Sequence, residues 1–207
     1  MPRVSLEDLY RRFVKESETV MAAFKARLIE ESCVPPHRMG REMCVVRLHD
    51  AWERTCKELI IASACEEPVT ALGQTVSRVV PSRQQVLPQL RATFTGITRK
   101  QRYWEPAWGD PRSLLDTAQR LGLSNYPTLS LAMGVPTKAA SHLKDVRHFF
   151  AHRAGNTAAN VARVALFYRL SAKSTADDVI GSTIPPGLTI FESWIHDLRT
   201  MLRAAVA

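Results

Sequence analysis

Apolar residues recur at helical spacing through most of the chain. Leu6, Leu9, Phe13, Val20, Phe24 and Leu28 are separated by three, four or seven positions. That pattern predicts an amphipathic helix from Ser5 to about Glu31, with Ser5 capping its first turn. Pro35-Pro36 are expected to close this element, since proline cannot continue a helix and restricts the residue before it. A second helix is predicted from about Gly40 to Cys65, with Met43, Val46, Trp52, Cys56, Leu59 and Ile60 as its stripe and Pro68 as its stop.

Residues 68–109 break the pattern. Pro68, Pro81, Pro88 and Pro106 and the β-branched pair Val79-Val80 fit short helices or a hairpin equally well, as an irregular excursion from a helical core. Asp110-Pro111 then opens a helix through about Leu121, and Gly122 stops it. Residues 123–136, with Asn125, Pro127, Gly134 and Pro136, read as a loop. Thr137 caps a helix from Lys138 to about His152. Gly155-Asn156-Thr157 breaks that helix and caps the next, from Ala158 to about Leu170. A further loop, Thr175 to Pro186, precedes a last helix from Ile190 to about Ala205, with Trp194, Ile195, Leu198 and Leu202 on one face. The expectation is an all-α bundle of five or six main helices forming one domain over residues 1–207.

Composition narrows the class. The 207 residues hold no apolar run near the roughly 18 that a membrane span needs. Charge occupies the N-terminal stretch where a signal peptide would be apolar, so a cytoplasmic location is expected. Cys33, Cys44, Cys56 and Cys65 contain no Cys-x-x-Cys pair and read as buried thiols. Net charge is +8, but unevenly distributed: −1 over residues 1–67, +11 over 68–176 and −2 over 177–207. So positive a block repels itself unless a polyanion lies nearby, which points to nucleic acid; a solvated basic surface is the plainer reading. No Gly-x-Gly-x-x-Gly, Walker loop, Gly-x-Ser-x-Gly or His-Glu-x-x-His occurs, and the nine glycines stand singly.

The remaining chemistry lies in one predicted helix. His142, His148 and His152 are interleaved with Lys144, Arg147 and Arg153. His148 and His152 share a face four residues apart, yet a third zinc ligand is missing and the adjacent cations disfavour a divalent ion. Neither metal nor cofactor is expected. Arg147-His148-Phe149-Phe150-Ala151-His152 instead pairs a phosphate-matching guanidinium with a side chain that exchanges a proton near neutral pH. Those two groups suffice to cleave RNA without metal, a base activating the 2′-hydroxyl and a cation stabilising the phosphoryl oxygens. With 21 arginines and six histidines, chance supplies about 0.6 Arg-x4-His pairs in such a chain. The weight therefore falls on context: this pair is the chain's single instance, inside its most acid-poor block.

The segment His142-Leu-Lys-Asp-Val-Arg-His-Phe-Phe-Ala-His-Arg153 resembles the Arg-x(4–6)-His signature of the HEPN superfamily of helical ribonucleases. The stretch Arg47-Leu-His-Asp-Ala-Trp-Glu-Arg-Thr-Cys-Lys-Glu-Leu-Ile60 is similar to a helix of its RiboL-PSP-HEPN branch. So are Glu105-Pro-Ala-Trp108, Leu121-Gly-Leu-Ser-Asn125 and the final helix with Trp194-Ile195. His148 departs from the asparagine that most often follows the arginine. The resemblance implies a homodimer whose facing motifs form one composite site. It also implies cleavage to a 2′,3′-cyclic phosphate, and a toxin or anti-phage role with an antitoxin or defence-system partner. RNA, transfer RNA among the candidates, would be the substrate.

By the same resemblance His152 would be the general base or acid, Arg147 the phosphate ligand and His148 a supporting group. Lys144, Arg153 and Arg163 would hold the RNA backbone, and His49, Asp50 and Asn125 would lend support. The plain alternatives are a core aromatic for Trp52 and a polar surface or interhelical pair for His49 and Asp50. Two other functions compete: a non-catalytic HEPN-like module binding RNA or protein, and a helical DNA-binding regulator. Against the regulator, Phe149-Phe150 and Val164-Ala165-Leu166-Phe167 make both helices of residues 138–170 look buried.

Overall fold

The structure is a computed structural model, and it describes residues 5–29, 35–93 and 105–207, with side chains omitted at 35–39. Nine helices and one two-stranded ribbon account for the described chain. They are α1 (Leu6–Ile29), α2 (Pro35–Cys65), α3 (Arg83–Ala92), α4 (Pro111–Leu121), α5 (Tyr126–Met133), α6 (Ala139–His152), α7 (Gly155–Phe167), α8 (Ala176–Gly181), β1 (Thr183–Ile184), β2 (Leu188–Thr189) and α9 (Ile190–Ala205). The all-α expectation holds. Among the described residues no helix is long and apolar enough to cross a membrane. Cys44, Cys56 and Cys65 are buried free thiols, and Cys33 lies outside the described residues.

Several boundaries differ from those read in the sequence, and each for an identifiable reason. α2 begins at Pro35 and not at about Gly40, because proline is tolerated in a first turn whose amides lack partners in any case. Pro127 does the same for α5, which occupies the stretch 123–136 expected to be a loop. Gly155 starts α7 instead of breaking the chain. The break is made two residues earlier by Arg153, at φ 45° in the left-handed region. The expected loop from Thr175 contains α8, nucleated by reciprocal bonds between Thr175 and Asp178. On α2 the buried stripe runs through Cys44, Val45, Leu48, Ala51, Trp52, Cys56, Leu59 and Ile60, so Met43 faces solvent. The excursion at 68–109 contains α3 and two isolated bridges, Ser5 with Val69 and Val69 with Thr75. Its residues 94–104 lie outside the described chain.

The chain divides into two compact units interleaved in sequence, Met1–Phe13, Trp52–Pro136 and Thr200–Ala207 in one, Val14–Ala51 and Thr137–Arg199 in the other. In the first, Trp52 is the core aromatic: its ring meets Phe13 edge-on at 5.9 Å, and its Nε1 donates to the Gly109 carbonyl at 3.0 Å. A Cβ on Gly109 would sit 2.8 Å from Glu53 Cγ, so only glycine permits this approach. The Ala71 amide donates to Val206 O at 2.7 Å, and Lys57 pairs with Glu105 at 2.8 Å.

The second unit is built on α9. Phe191, Trp194, Ile195 and Leu198 are fully buried, with Phe191 against Phe24 at 4.4 Å. Arg199 Nε donates to Ser17 Oγ at 2.9 Å, and Thr137 Oγ1 donates to Asp197 Oδ2 at 2.6 Å. These two bonds tie α1 and the start of α6 to the last helix. Lys25 closes on Glu192 at 2.9 Å.

The caps of α4 are a clean test of local encoding. Asp110 accepts from the Arg112 and Ser113 amides at 2.9 and 3.1 Å, and Gly122 ends the helix at φ 67°. Asp110→Ala should therefore cost about 1 kcal/mol. In thermal unfolding this appears as a midpoint lowered by roughly 2–4 °C.

Candidate active site

Helix α6 places its side chains by burying one face. Ala139, Ala140, His142, Leu143 and Val146 point inward, and α6 packs along α7. Thr137 Oγ1 accepts from the Ala139 amide at 3.0 Å and so starts the helix, with Lys138 at the N-cap position. At 100° per residue, the positions left outside are those of His148 and His152, both exposed. Their rings stand nearly perpendicular, at 85°, with centroids 5.1 Å apart. This is the helical i,i+4 neighbourhood seen in the sequence.

Arg147 lies at the border of the buried face. It is half-buried, and its Nε is fully covered without a hydrogen-bond partner, so the guanidinium stem is held against the protein. Arg147 and His152 are five positions apart, or about 140° around the helix and about 7.5 Å along it. One copy of α6 therefore presents its two motif side chains in different directions.

The end of α6 is abrupt. The Arg153 amide donates to Phe149 O at 2.8 Å, and the next residue, Ala154, is already the N-cap of α7. Alanine has no side-chain acceptor, so no side chain caps α7 from that position. Thr157 Oγ1 instead accepts from the Ala154 amide at 3.1 Å and donates to its carbonyl at 2.7 Å. The positive end of α7 thus begins three residues after His152, with Gly155 and Asn156 exposed and Asn156 Oδ1 accepting from the Thr157 amide at 2.9 Å.

The other expected site residues are distributed unevenly. Arg153 pairs with Glu42 at 2.7 Å, and Arg163 donates to Asn160 Oδ1. Asn160 Nδ2 in turn reaches Asp145 Oδ1 at 3.4 Å. A phosphate bound by either arginine would replace an existing partner. Lys144 is half-buried on α6. His49 is buried on α2 with its Nδ1 3.9 Å from Asp50 Oδ1, and Asp50 is exposed. Asn125 belongs to the first unit, where its amide donates to Ser63 Oγ at 3.0 Å. It serves that core, and α6 belongs to the other unit. The expected burial of the α7 end fails in part: Val164 and Ala165 are buried, but Leu166 and Phe167 are exposed. Phe149 and Phe150 are half-buried.

The structure also adds groups that the sequence reading did not single out. The Tyr168 hydroxyl accepts from Trp194 Nε1 at 2.7 Å and is hydrogen-bonded to His142 Nδ1 at 3.3 Å. Burial, then the nearby Lys138 charge, pushes the His142 imidazole down to about 4. Burial also raises Tyr168, against its hydrogen bond from Trp194. Asp145 is raised by burial as well, opposed by the Arg163, Lys144 and His148 charges. The only sequence signal for this network was His142 itself, three residues into a helix whose other histidines face out.

Comparison of the chain with protein-family models, curated proteins and solved structures finds no match.

Two outcomes follow from this geometry. His142 is neutral when folded and ordinary, near 6.5, when unfolded, so the unfolded chain alone takes up a proton between about 6.5 and 4. Stability contributed by neutral His142 is complete above that window and falls as pH drops through it. Urea unfolding at pH 7 and pH 5 should show this loss, and His142→Phe should reduce it. The left-handed backbone at Arg153 is costly for a side chain. Arg153→Gly should therefore stabilise the fold by about 1 kcal/mol, while weakening RNA binding in a titration at low salt if Arg153 holds backbone phosphate.

Proposed function

We propose that the chain is a metal-independent endoribonuclease whose reaction centre is the C-terminal turn of α6. The observation that carries the reading is the exposed, edge-paired His148 and His152 beside a half-buried Arg147. In this reading His152 takes the proton of an RNA 2′-hydroxyl. The 2′-oxygen attacks the adjacent phosphorus, the bond from phosphorus to the 5′-oxygen breaks, and a 2′,3′-cyclic phosphate remains. The departing 5′-oxygen needs a proton, which a second imidazole supplies; His148 or a partner copy's motif fills that role. Arg147 stabilises the charge that develops on the phosphoryl oxygens. The start of α7, where Asn156 Oδ1 already takes the Thr157 amide, leaves its remaining first-turn amides toward the same neighbourhood, an arrangement suited to a phosphate.

The separation of about 140° between Arg147 and His152 supports the expectation, taken from the HEPN resemblance, that two copies pair. One copy's arginine and another's histidine then serve one phosphate. The same resemblance suggests a cytoplasmic toxin or defence effector, held in check by an antitoxin or defence-system partner. The divergence of those side chains also favours a second reading, a non-catalytic HEPN-like module that binds RNA or protein.

Cleavage of labelled total RNA and transfer RNA in excess EDTA separates these readings. The full chain should cut, and His152→Ala and Arg147→Ala should each lower the rate at least about 100-fold, with unchanged circular dichroism. Cleavage that needs added metal, or that either variant leaves intact, would remove the mechanism.

A further inference from the structure

Helix α7 ends in an aromatic side chain that the fold positions without covering. Phe167 is 58% exposed and Leu166 57%. The Phe167 ring nevertheless has a set orientation: it meets His142 at 4.7 Å and 69°, and Tyr168 at 5.1 Å and 80°. Both contacts are of the edge type, and among the described residues no parallel ring lies on Phe167. His142 and Tyr168 are themselves fixed by the hydrogen bonds that run to Trp194. These contacts favour one orientation of the ring and so reduce the cost of ordering it when something binds.

The chain around Phe167 is locally basic, with Asp145 near Arg163 and Asp197 near Tyr168 as the carboxylates beside it. Residues 146–176 contain five basic side chains and no carboxylate. Arg163 stands one turn before Phe167 on the same helix face. Arg169 and Lys173 follow it, both exposed and without a carboxylate partner among the described residues. A fixed, exposed aromatic ring among cations is the arrangement that single-stranded nucleic acids use, bases stacking on the ring while cations track the backbone. We propose that Phe167, with Arg163, Arg169 and Lys173, forms a stacking site for an unpaired base of single-stranded RNA. The inference rests on the ribonuclease reading for the choice of polyanion. It deepens that reading by making the substrate single-stranded where it crosses α7, since a base inside a duplex cannot reach the ring.

The test uses the full chain carrying His152→Ala, so that the probe is bound and not cut. Fluorescence anisotropy would follow a labelled single-stranded oligouridylate and the same strand annealed to its complement. Phe167→Ala and Phe167→Leu should each weaken single-strand binding about tenfold, the loss expected for one stacked base, and Phe167→Trp should restore it. Duplex binding should be the same in all four proteins. The leucine variant keeps the apolar contact, so single-strand binding equal to that of Phe167 would overturn the proposal. So would equal binding by all four proteins, or no binding at all. A change of molecular mass in solution on Phe167→Ala would also overturn it, by assigning the patch to a second copy or to a partner protein. The two readings fail separately. RNA cleavage by the wild-type chain with Phe167-independent binding removes only the stacking site. Phe167-dependent binding without cleavage removes only the nuclease.

Discussion

Burial of His142, Leu143 and Val146 fixes the rotation of α6, and with it the address of every side chain in the candidate site. The helix cannot turn by even one position without exposing leucine and valine and burying a histidine pair. Each fully buried aliphatic side chain is worth about 1.5–3 kcal/mol, and bringing His148 and His152 inside would add an unpaired polar cost. His142 is the exception on the inner face. It is accepted there because Tyr168 satisfies its Nδ1 and because the imidazole stays neutral at physiological pH. The same hydrogen-bond chain continues to Trp194 on α9, so the helix that carries the motif is pinned to the most deeply buried helix of its unit.

The turn that follows α6 holds the other constraint. Two residues separate α6 from α7, and one of them, Arg153, adopts a left-handed conformation that glycine would accept at lower cost. The nearest glycine, Gly155, comes two positions too late to serve as the first residue past His152. Retaining arginine there keeps a cation between an imidazole and the start of the next helix, at the expense of backbone strain. The backbone alone would favour glycine, and the ion pair of Arg153 with Glu42 is what the side chain contributes in return.

Where periodicity was strong the sequence was sufficient. The last helix, Ile190–Ala205, and the caps of α4 were legible because an amphipathic stripe, an aspartate before proline and a terminal glycine each have one physical meaning. That Pro35, Pro127 and Gly155 each open a helix was not legible, because proline and glycine have two meanings. A proline stops one helix but suits the first turn of another, and a glycine ends a helix or begins one. Local sequence does not choose between these; burial of the flanking apolar residues does. Leu129, Ala132 and Met133 make α5 a helix despite Pro127, just as Val179 and Ile180 make a helix of α8. Of the candidate site, the exposure of His148 and His152 followed from spacing. The direction of Arg147, the partners of Arg153 and Arg163, and the bare Phe167 ring required knowing which face of each helix was covered.

That knowledge also changes what the charge distribution means. The basic block at 68–176 and the more acidic first third look in the sequence like separate populations. In the fold they meet: Arg78 pairs with Glu67, Arg83 with Glu58 and Glu66, and Arg153 with Glu42. Four carboxylates of the first third thus face three arginines of the block, and Arg120 is matched within it by Asp116. Such exposed pairs add little stability, about 0–1 kcal/mol each, but they reduce the field available to a distant polyanion. Among the described residues, Arg169 and Lys173, exposed near Phe167 at the end of α7 and in the turn after it, are cations of the block without such compensation. Net charge alone therefore locates nothing, whereas the pairing pattern shows which cations stay unmatched; an RNA bound as proposed would meet Arg169 and Lys173 at the opposite end of α7 from His152. A strand engaging both points would have to run along that helix, past Arg163, and α7's 13 residues, at about 1.5 Å each, set the distance it must cover.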